Sequence, residues 1–405
     1  MNYLNKISFI ILFLLVFVSI TIVYYSKLII SISQYSSSLI LLETIQNDSL
    51  YEYKLIHNSI LNGKSSIKIS VNHYCNAGYA NRLYSMLTSL VIALLTDSAF
   101  LVRWRYIDLH INEPFFKTFH DFDIDLKREN VFKPVSKFAW SLKRNMDELA
   151  NTYIPTNFSI YSYSSNEAYF FEICSNPQYY DKLFKYGLVN NQTIQKAFQV
   201  KYNMSNYSDK EKQDYILKVP FEVGGNLLNK IWIPNDRIKS LINNYLNYEF
   251  NGYFMIGIQL RYQYINLQET YAFIKCAIQI ESDLERDNKD FYSLYKGVKW
   301  YVSSDIQLAL NMLKKKYPNK VIIGRGRGGH IATNPDAYSR AILDIELLSK
   351  CDELIMTGGS TFGFVAAMKM LKLPYHINGR MNMTKCIRTS LSSPSFTSYN
   401  RFAVF

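Results

Sequence analysis

The chain has 405 residues with 45 Lys+Arg against 33 Asp+Glu, a formal net charge of +12. At about 100–200 residues per domain it is long enough for two or three folding units. A hydrophobic fraction of 48% with 19% charged residues excludes a disordered or collagen-like chain. Five cysteines (Cys75, Cys174, Cys276, Cys351 and Cys386) are too sparse for a zinc module or a disulfide-stapled miniprotein. The basic balance leaves nucleic acid, an anionic membrane surface and an anionic substrate as open partner classes.

In chain order, residues 1–6 form a short tail and Ile7 to Ser26 is a run of 20 uncharged, mostly aliphatic residues. A helix of that length spans about 30 Å, the thickness of a bilayer's hydrocarbon core. The run exceeds the apolar core of a cleavable signal, about 7–15 residues, and Tyr24 and Tyr25 suit the membrane interface. It predicts a signal anchor over 7–26, with the N-terminus cytosolic and the rest lumenal or extracellular. Six Asn-X-Ser/Thr sequons, at Asn47, Asn157, Asn191, Asn203, Asn206 and Asn382, all follow the anchor and agree with that orientation. The topology argues against nucleic acid. Residues 27–66, Ser-rich and without strong periodicity, read as a stem.

From Ser66 the pattern changes. Ser66–Asn72 alternates like a strand, Cys75–Arg82 is a short polar turn, and Leu83, Met86, Leu87, Leu90, Val91 and Leu94 recur at helical spacing. That spacing predicts an amphipathic helix, with Ala99–Val102 as the next strand. The middle, roughly 110–245, is rich in Tyr, Asn and Phe and has no clear period. Strands return at Tyr253–Leu260, Lys299–Ser303, Lys320–Gly324 and Glu353–Met356, with helices at Ala337–Lys350 and from Thr361. Strands alternating with helices imply a parallel sheet whose ligands sit at the carboxyl ends of the strands.

Three polar features fall at those ends: Arg261, Asp305 and the turn Gly358-Gly359-Ser360-Thr361. A helix N-terminus offers unpaired N–H groups and a positive dipole end to a phosphate. An arginine can grip a diphosphate bidentately, which a lysine cannot reproduce. Together they point to a nucleotide site. Asp121-Phe-Asp-Ile-Asp125 contains Asp-x-Asp, but no apolar strand precedes it, and its alternation fits a strand edge or solvated loop. Gly324-Arg-Gly-Arg-Gly-Gly329 satisfies G-x-G-x-x-G without a helix directly behind it, which argues against a dinucleotide fingerprint. Arg325 and Arg327 remain candidates for an anionic cleft. Cys276 and Cys351 lie inside predicted α/β elements and read as buried thiols.

Several stretches resemble the fucosyltransferase superfamily. Asn76–Leu87 followed by Ala93–Val102 resembles the opening block of plant xyloglucan α1,2-fucosyltransferases. Ile256-Gly-Ile-Gln-Leu-Arg261 resembles a motif shared by α1,2-, α1,6- and protein O-fucosyltransferases. Trp300–Asp305 is similar to the second motif, and Ala341–Asp352 with Gly359–Ala367 to the third. Leu227–Pro234 resembles the segment that precedes the donor half. Arg261 is followed by Tyr262, as in the single-arginine plant pattern, and Ala80 stands where the family has a second glycine.

The resemblance implies an α/β, GT-B-like fold of two Rossmann-like halves. Residues 67–245 would be the acceptor-side domain, 246–380 the GDP-fucose-binding domain and 381–405 a tail. It implies an inverting, metal-independent enzyme without cofactor that moves fucose from GDP-fucose to a glycan hydroxyl, α1,2 on a galactoside. An α1,6-core or protein O-fucosyl activity is the alternative, and a catalytically silent, lectin-like membrane protein is a further one. A manganese-dependent transferase built on Asp121–Asp125 is the third. By the same resemblance Arg261 stabilises the departing diphosphate. Asn81, Arg82, Gln259, Asp305, Asp344, Ser360, Thr361, Phe362 and Gly363 join it around the donor. Asp344 reads equally as a helix-surface carboxylate. Inversion needs a base for the acceptor hydroxyl, and His73, Asp108, Asp121, His330 and Asp336 are its candidates. The expected location is the Golgi membrane, single-pass type II.

Overall fold

The computed structural model describes residues 49–73, 77–119, 131–135, 154, 158–202, 207–266, 268–326, 335–378 and 383–393. The predicted anchor, Cys75, Asp121–Asp125, His330 and the sequons at Asn47, Asn157, Asn203, Asn206 and Asn382 lie outside them. No described helix is long and apolar enough to cross a membrane. The chain divides into Met1–Glu52, described only over 49–52, and Tyr53–Phe405, which holds both sheets.

The first sheet contains β1 (Ile69–His73), β2 (Ala99–Arg103), β3 (Val131–Val135) and β4 (Ile160–Tyr163) in the order β2-β1-β4-β3, all parallel. Two helices flank it, α1 (Tyr51–Leu61) and α2 (Tyr79–Thr96). α1 corrects the reading of 27–66 as stem throughout. Tyr53, His57, Ile60 and Leu61 sit on one stripe and are buried. The Tyr53 hydroxyl donates to the Ser98 carbonyl at 2.9 Å, and His57 Nδ1 accepts the Phe100 N–H at 3.1 Å while Nε2 lies 2.7 Å from the Phe116 carbonyl.

The helix α2 departs from the amphipathic expectation: every residue but Asn81 is buried. Its would-be polar face pairs internally. Ser89 meets Ser70 Oγ at 3.0 Å, Ser85 accepts from Asn72 Nδ2 at 2.7 Å, and Thr88 donates to the Tyr84 carbonyl. Such pairing is the condition on which buried hydroxyls are tolerated.

The middle of the chain is helical: α3 (Asn191–Tyr202), α4 (Asp209–Ile231) and α5 (Asp236–Asn244). Ser208 and Glu211 form a reciprocal capping box on α4, a start signal present in the sequence. The exposed Asn191 sequon opens α3.

The second sheet is built from β5 (Phe254–Leu260), β6 (Val298–Ser304), β7 (Val321–Ile323), β8 (Glu353–Thr357), β9 (Tyr375–Asn378) and β10 (Met383–Arg388). Its order is β10-β9-β8-β5-β6-β7, parallel except for the antiparallel β10. Its helices are α6 (Thr270–Asp287), α7 (Gln307–Lys316), α8 (Pro335–Leu348) and α9 (Thr361–Met370). All seven residues of β5 are buried, as expected for a central strand covered on both faces. Ile256, Ile258 and Leu260 share one core with Phe273, Ala277, Trp300 and Leu310, each large side chain contributing about 1.5–3 kcal/mol of burial.

Two expectations are corrected here. Residues 383–388, read as tail, supply β10, and Cys276, read as a buried thiol, is bridged to Cys386 on that strand. Once β10 pairs beside α6, the two sulfurs become neighbours. Among the described residues Cys174 and Cys351 are the free, buried thiols, and burial raises the pKa of both.

Candidate functional site

In the second sheet the first strand, β5, has its two successors on one side and β8 and β9 on the other. The order β7-β6-β5-β8-β9 is thus the 3-2-1-4-5 order of a nucleotide-binding sheet, and its switch point lies between β5 and β8. Gln259 and Arg261 leave one side of that point, and Thr357 to Gly363 leave the other.

The strand ends are stitched together. Thr357 Oγ1 donates to the Gln259 carbonyl at 3.0 Å and accepts the Arg261 N–H at 2.9 Å. Asp305, just beyond β6, uses both oxygens: Oδ1 accepts the Tyr262 N–H at 3.0 Å and Oδ2 accepts Arg261 Nη1 at 2.9 Å. Arg261 Nη2 donates to Gln263 Oε1 at 3.1 Å. With 41% of the Arg261 side chain exposed and 27% of Asp305, this ion pair is worth at most about 1 kcal/mol. What it supplies is direction, holding a guanidinium at the mouth of the switch point while leaving it open to an anion.

The α9 turn completes the cradle. Gly359 has φ +79°, which an L side chain rarely adopts. Ser360 is the extended N-cap residue and its hydroxyl makes no capping bond. Thr361 and Phe362 are half-buried. At Gly363 an added Cβ would lie 2.7 Å from Met356 Cβ and 2.9 Å from Gln259 Oε1, so only glycine lets the helix start this close to the sheet. A helix N-terminus and an open arginine at one switch point make an anion site that fits a diphosphate.

Asp344 is placed differently from the helix-surface alternative. It is buried, accepting from Tyr301 Oη at 2.6 Å, Ser303 Oγ at 2.7 Å and Arg340 Nε at 2.8 Å. Burial and the adjoining carboxylate push the Tyr301 hydroxyl well above its usual range. Arg340 Nη1 reaches the Gly324 and Gly326 carbonyls at 2.6 and 3.0 Å, so α8 holds the glycine-rich loop. Gly324–Gly326 belong to the described residues and Arg327 does not. Thr357 and Arg340 were not singled out in the sequence. The signal for Arg340 is its i, i+4 spacing to Asp344, which says nothing of burial.

At the N-terminal turn, Asn81 Oδ1 is buried with no hydrogen-bond partner among the described residues, an arrangement that costs about 1–3 kcal/mol. Arg82 points inward. Its Nε donates to the Ala77 carbonyl at 2.9 Å, Nη1 donates to the Tyr338 hydroxyl, and the guanidinium lies 5.5 Å over the Tyr338 ring. Among the base candidates, His73 is half-buried and Asp108 exposed. Asp121 and His330 lie outside the described residues, as does the side chain of Asp336.

No family model and no curated protein matches the sequence. Solved structures do match. An arginine-to-lysine variant of Arabidopsis thaliana FUT1, solved in complex with GDP, superposes with a TM-score of 0.52 at 18% identity, over 81% of this chain and 78% of that one. NodZ α1,6-fucosyltransferase, co-crystallized with GDP, gives a TM-score of 0.50 at 12% identity, over 81% of this chain and 100% of that one. The chain shares their fold. The α/β architecture expected from the motifs, with its parallel sheets, is the one these structures display.

Proposed function

We propose that the protein is a GDP-fucose-dependent fucosyltransferase. What supports the reading most is the open Arg261 guanidinium beside the α9 N-terminus at the switch point. The shared fold with two GDP-bound structures adds to it. GDP would lie along the β5 and β8 ends, with its diphosphate on Arg261 and the Ser360–Gly363 turn. Arg261 then neutralises the charge that develops as GDP leaves an oxocarbenium-like sugar, a preorganised electrostatic effect. The acceptor hydroxyl attacks from the opposite face with inversion, and no step needs a metal.

We place the acceptor as a galactoside fucosylated α1,2, on the strength of the single-arginine motif and the opening block at Asn76. The catalytic part would sit in the Golgi lumen behind the 7–26 anchor. The test is GDP release by the full chain in detergent with GDP-fucose, across galactosides, N-glycans and peptide acceptors, with and without EDTA. Acceptor-stimulated release that survives EDTA is expected, and the productive acceptor narrows the linkage. Release abolished by EDTA, or glycan binding without any turnover, overturns the reading.

A further inference from the structure

Arg82 on α2, beside the first sheet, and Tyr338 on α8, beside the second, are 256 residues apart in sequence, and both are almost fully buried. Tyr338 is held from three directions. The Arg82 guanidinium lies over its ring at 5.5 Å and donates to its hydroxyl. The His110 ring stacks on it at 5.6 Å with planes 24° apart, and the Tyr79 ring meets it edge-on at 5.9 Å. His110 is fixed in turn, its Nδ1 lying 3.2 Å from Ser339 Oγ and 3.5 Å from Arg237 Nη2, while Arg237 donates to Ser339 Oγ at 2.9 Å.

Both ends of this cluster lead to the candidate site. On one side, Arg82 follows Asn81, whose buried Oδ1 has no partner among the described residues, and it ties down the turn at Ala77. On the other, Tyr338 lies two residues before Arg340 and six before Asp344, the pair that holds Gly324, Gly326 and Ser303 of β6. A shift of α8 relative to α2 would move the donor sheet relative to Asn81.

We propose that Arg82, Tyr338 and His110 form a clasp between the halves, and that Tyr338 is a positioning residue for the transfer reaction, setting where Asn81 stands over a donor bound at Arg261. The inference rests on the fucosyltransferase reading for its catalytic consequence. In this proposal Arg82 acts through Tyr338. Because the Arg261–Asp305 end is not part of the clasp, loosening it should lower turnover without weakening donor binding. An effect of that kind belongs to orientation, where displacements of about 1 Å cost about 10²-fold.

The test uses the full chain with Tyr338→Phe, which keeps the ring and removes the hydroxyl acceptor, Arg82→Lys, and the double variant. The expected result is a 10- to 100-fold fall in kcat for each single variant, with the KM for GDP-fucose within twofold of wild type. The double variant should be no worse than Arg82→Lys alone, since in that background the Tyr338 hydroxyl has already lost its guanidinium donor. Wild-type kcat in Tyr338→Phe, a raised KM at unchanged kcat, or additive losses overturns the proposal. Should Arg82→Lys fail to fold, His110→Asn removes the stacked ring alone and should cost three- to tenfold in kcat. A second arm needs no turnover. Amide exchange over 79–84 and 337–342 of the ligand-free chain should quicken about tenfold in Tyr338→Phe while β5 stays protected. Unchanged exchange sinks the clasp whatever the chain catalyses, and quickened exchange in a protein that turns over no GDP-fucose sinks only the enzymatic reading.

Discussion

Arg82 and Arg261 both stand in stretches that resemble the same family, yet the fold treats them in opposite ways. Arg82 is 1% exposed and committed to the neighbouring Ala77 carbonyl and to Tyr338 of α8. Arg261 keeps 41% of its side chain exposed and is steered by one carboxylate and one amide at the open end of a sheet. The difference lies in what each can still do. A guanidinium at the mouth of a switch point can take up a new anion, whereas one enclosed between helices maintains a shape. Arg340 belongs with Arg82: it is buried against Asp344 and two loop carbonyls.

The sharpest way to break that comparison is to attack the enclosed side. Asp344→Ala leaves the Arg340 charge buried without its carboxylate, which should cost about 3–5 kcal/mol of stability by denaturant unfolding. A loss under 1 kcal/mol would show that Arg340 is not enclosed as described. Cys386→Ser should cost about 2–4 kcal/mol, because the bridge to Cys276 closes a loop with a sequence separation of 110. Equal melting temperatures for wild type and variant under non-reducing conditions would contradict the pairing. Gly363→Ala forces α9 away from Met356 Cβ and should destabilise by about 1–3 kcal/mol, with a fall in GDP affinity as the cradle widens. An undisturbed melt with normal GDP binding would mean that the helix does not approach the sheet so closely.

The smallest effect concerns pH. Burial lowers the pKa of His57, outweighing the Phe116 carbonyl and the Glu113 charge that favour its protonation. The unfolded chain therefore binds the proton more readily than the folded one. Stability is full above the unfolded value near 6.5 and falls as pH drops through the lower folded value. His57→Asn should make the loss of stability between pH 7 and 5 shallower. Burial lowers His376 as well, so part of the slope should remain. An unchanged slope would remove His57 from the account.

What could be read in advance follows from how local each signal is. β5, β6 and β8 are buried on both faces, so each shows up as an apolar run ending in a polar residue, and Arg261, Asp305 and Ser360 fall at those ends without any knowledge of pairing. The Gly-Gly-Ser-Thr turn was equally local. α1 reads as stem because only four of its positions carry the buried stripe, and α2 reads as amphipathic although its serines find partners on β1 and its threonines on carbonyls of the helix itself. β10, the Cys276–Cys386 bridge and the enclosure of Arg82, Arg340 and Asp344 all depend on partners far away in sequence. Phe364 of α9 shows the same dependence, its ring meeting Tyr84 of α2 at 5.7 Å and Phe221 of α4 at 6.2 Å.

The most direct measurement is GDP affinity by titration calorimetry of the full chain, wild type beside Arg261→Lys. A substitution at a half-exposed site should leave the melting temperature nearly unchanged. If Arg261 is the diphosphate grip, GDP binds wild type and its affinity falls at least tenfold in the variant, since a lysine cannot restore the bidentate contact. Equal GDP affinity in the two proteins, or no GDP binding by a folded wild type, would contradict the assignment of the switch point as the donor site.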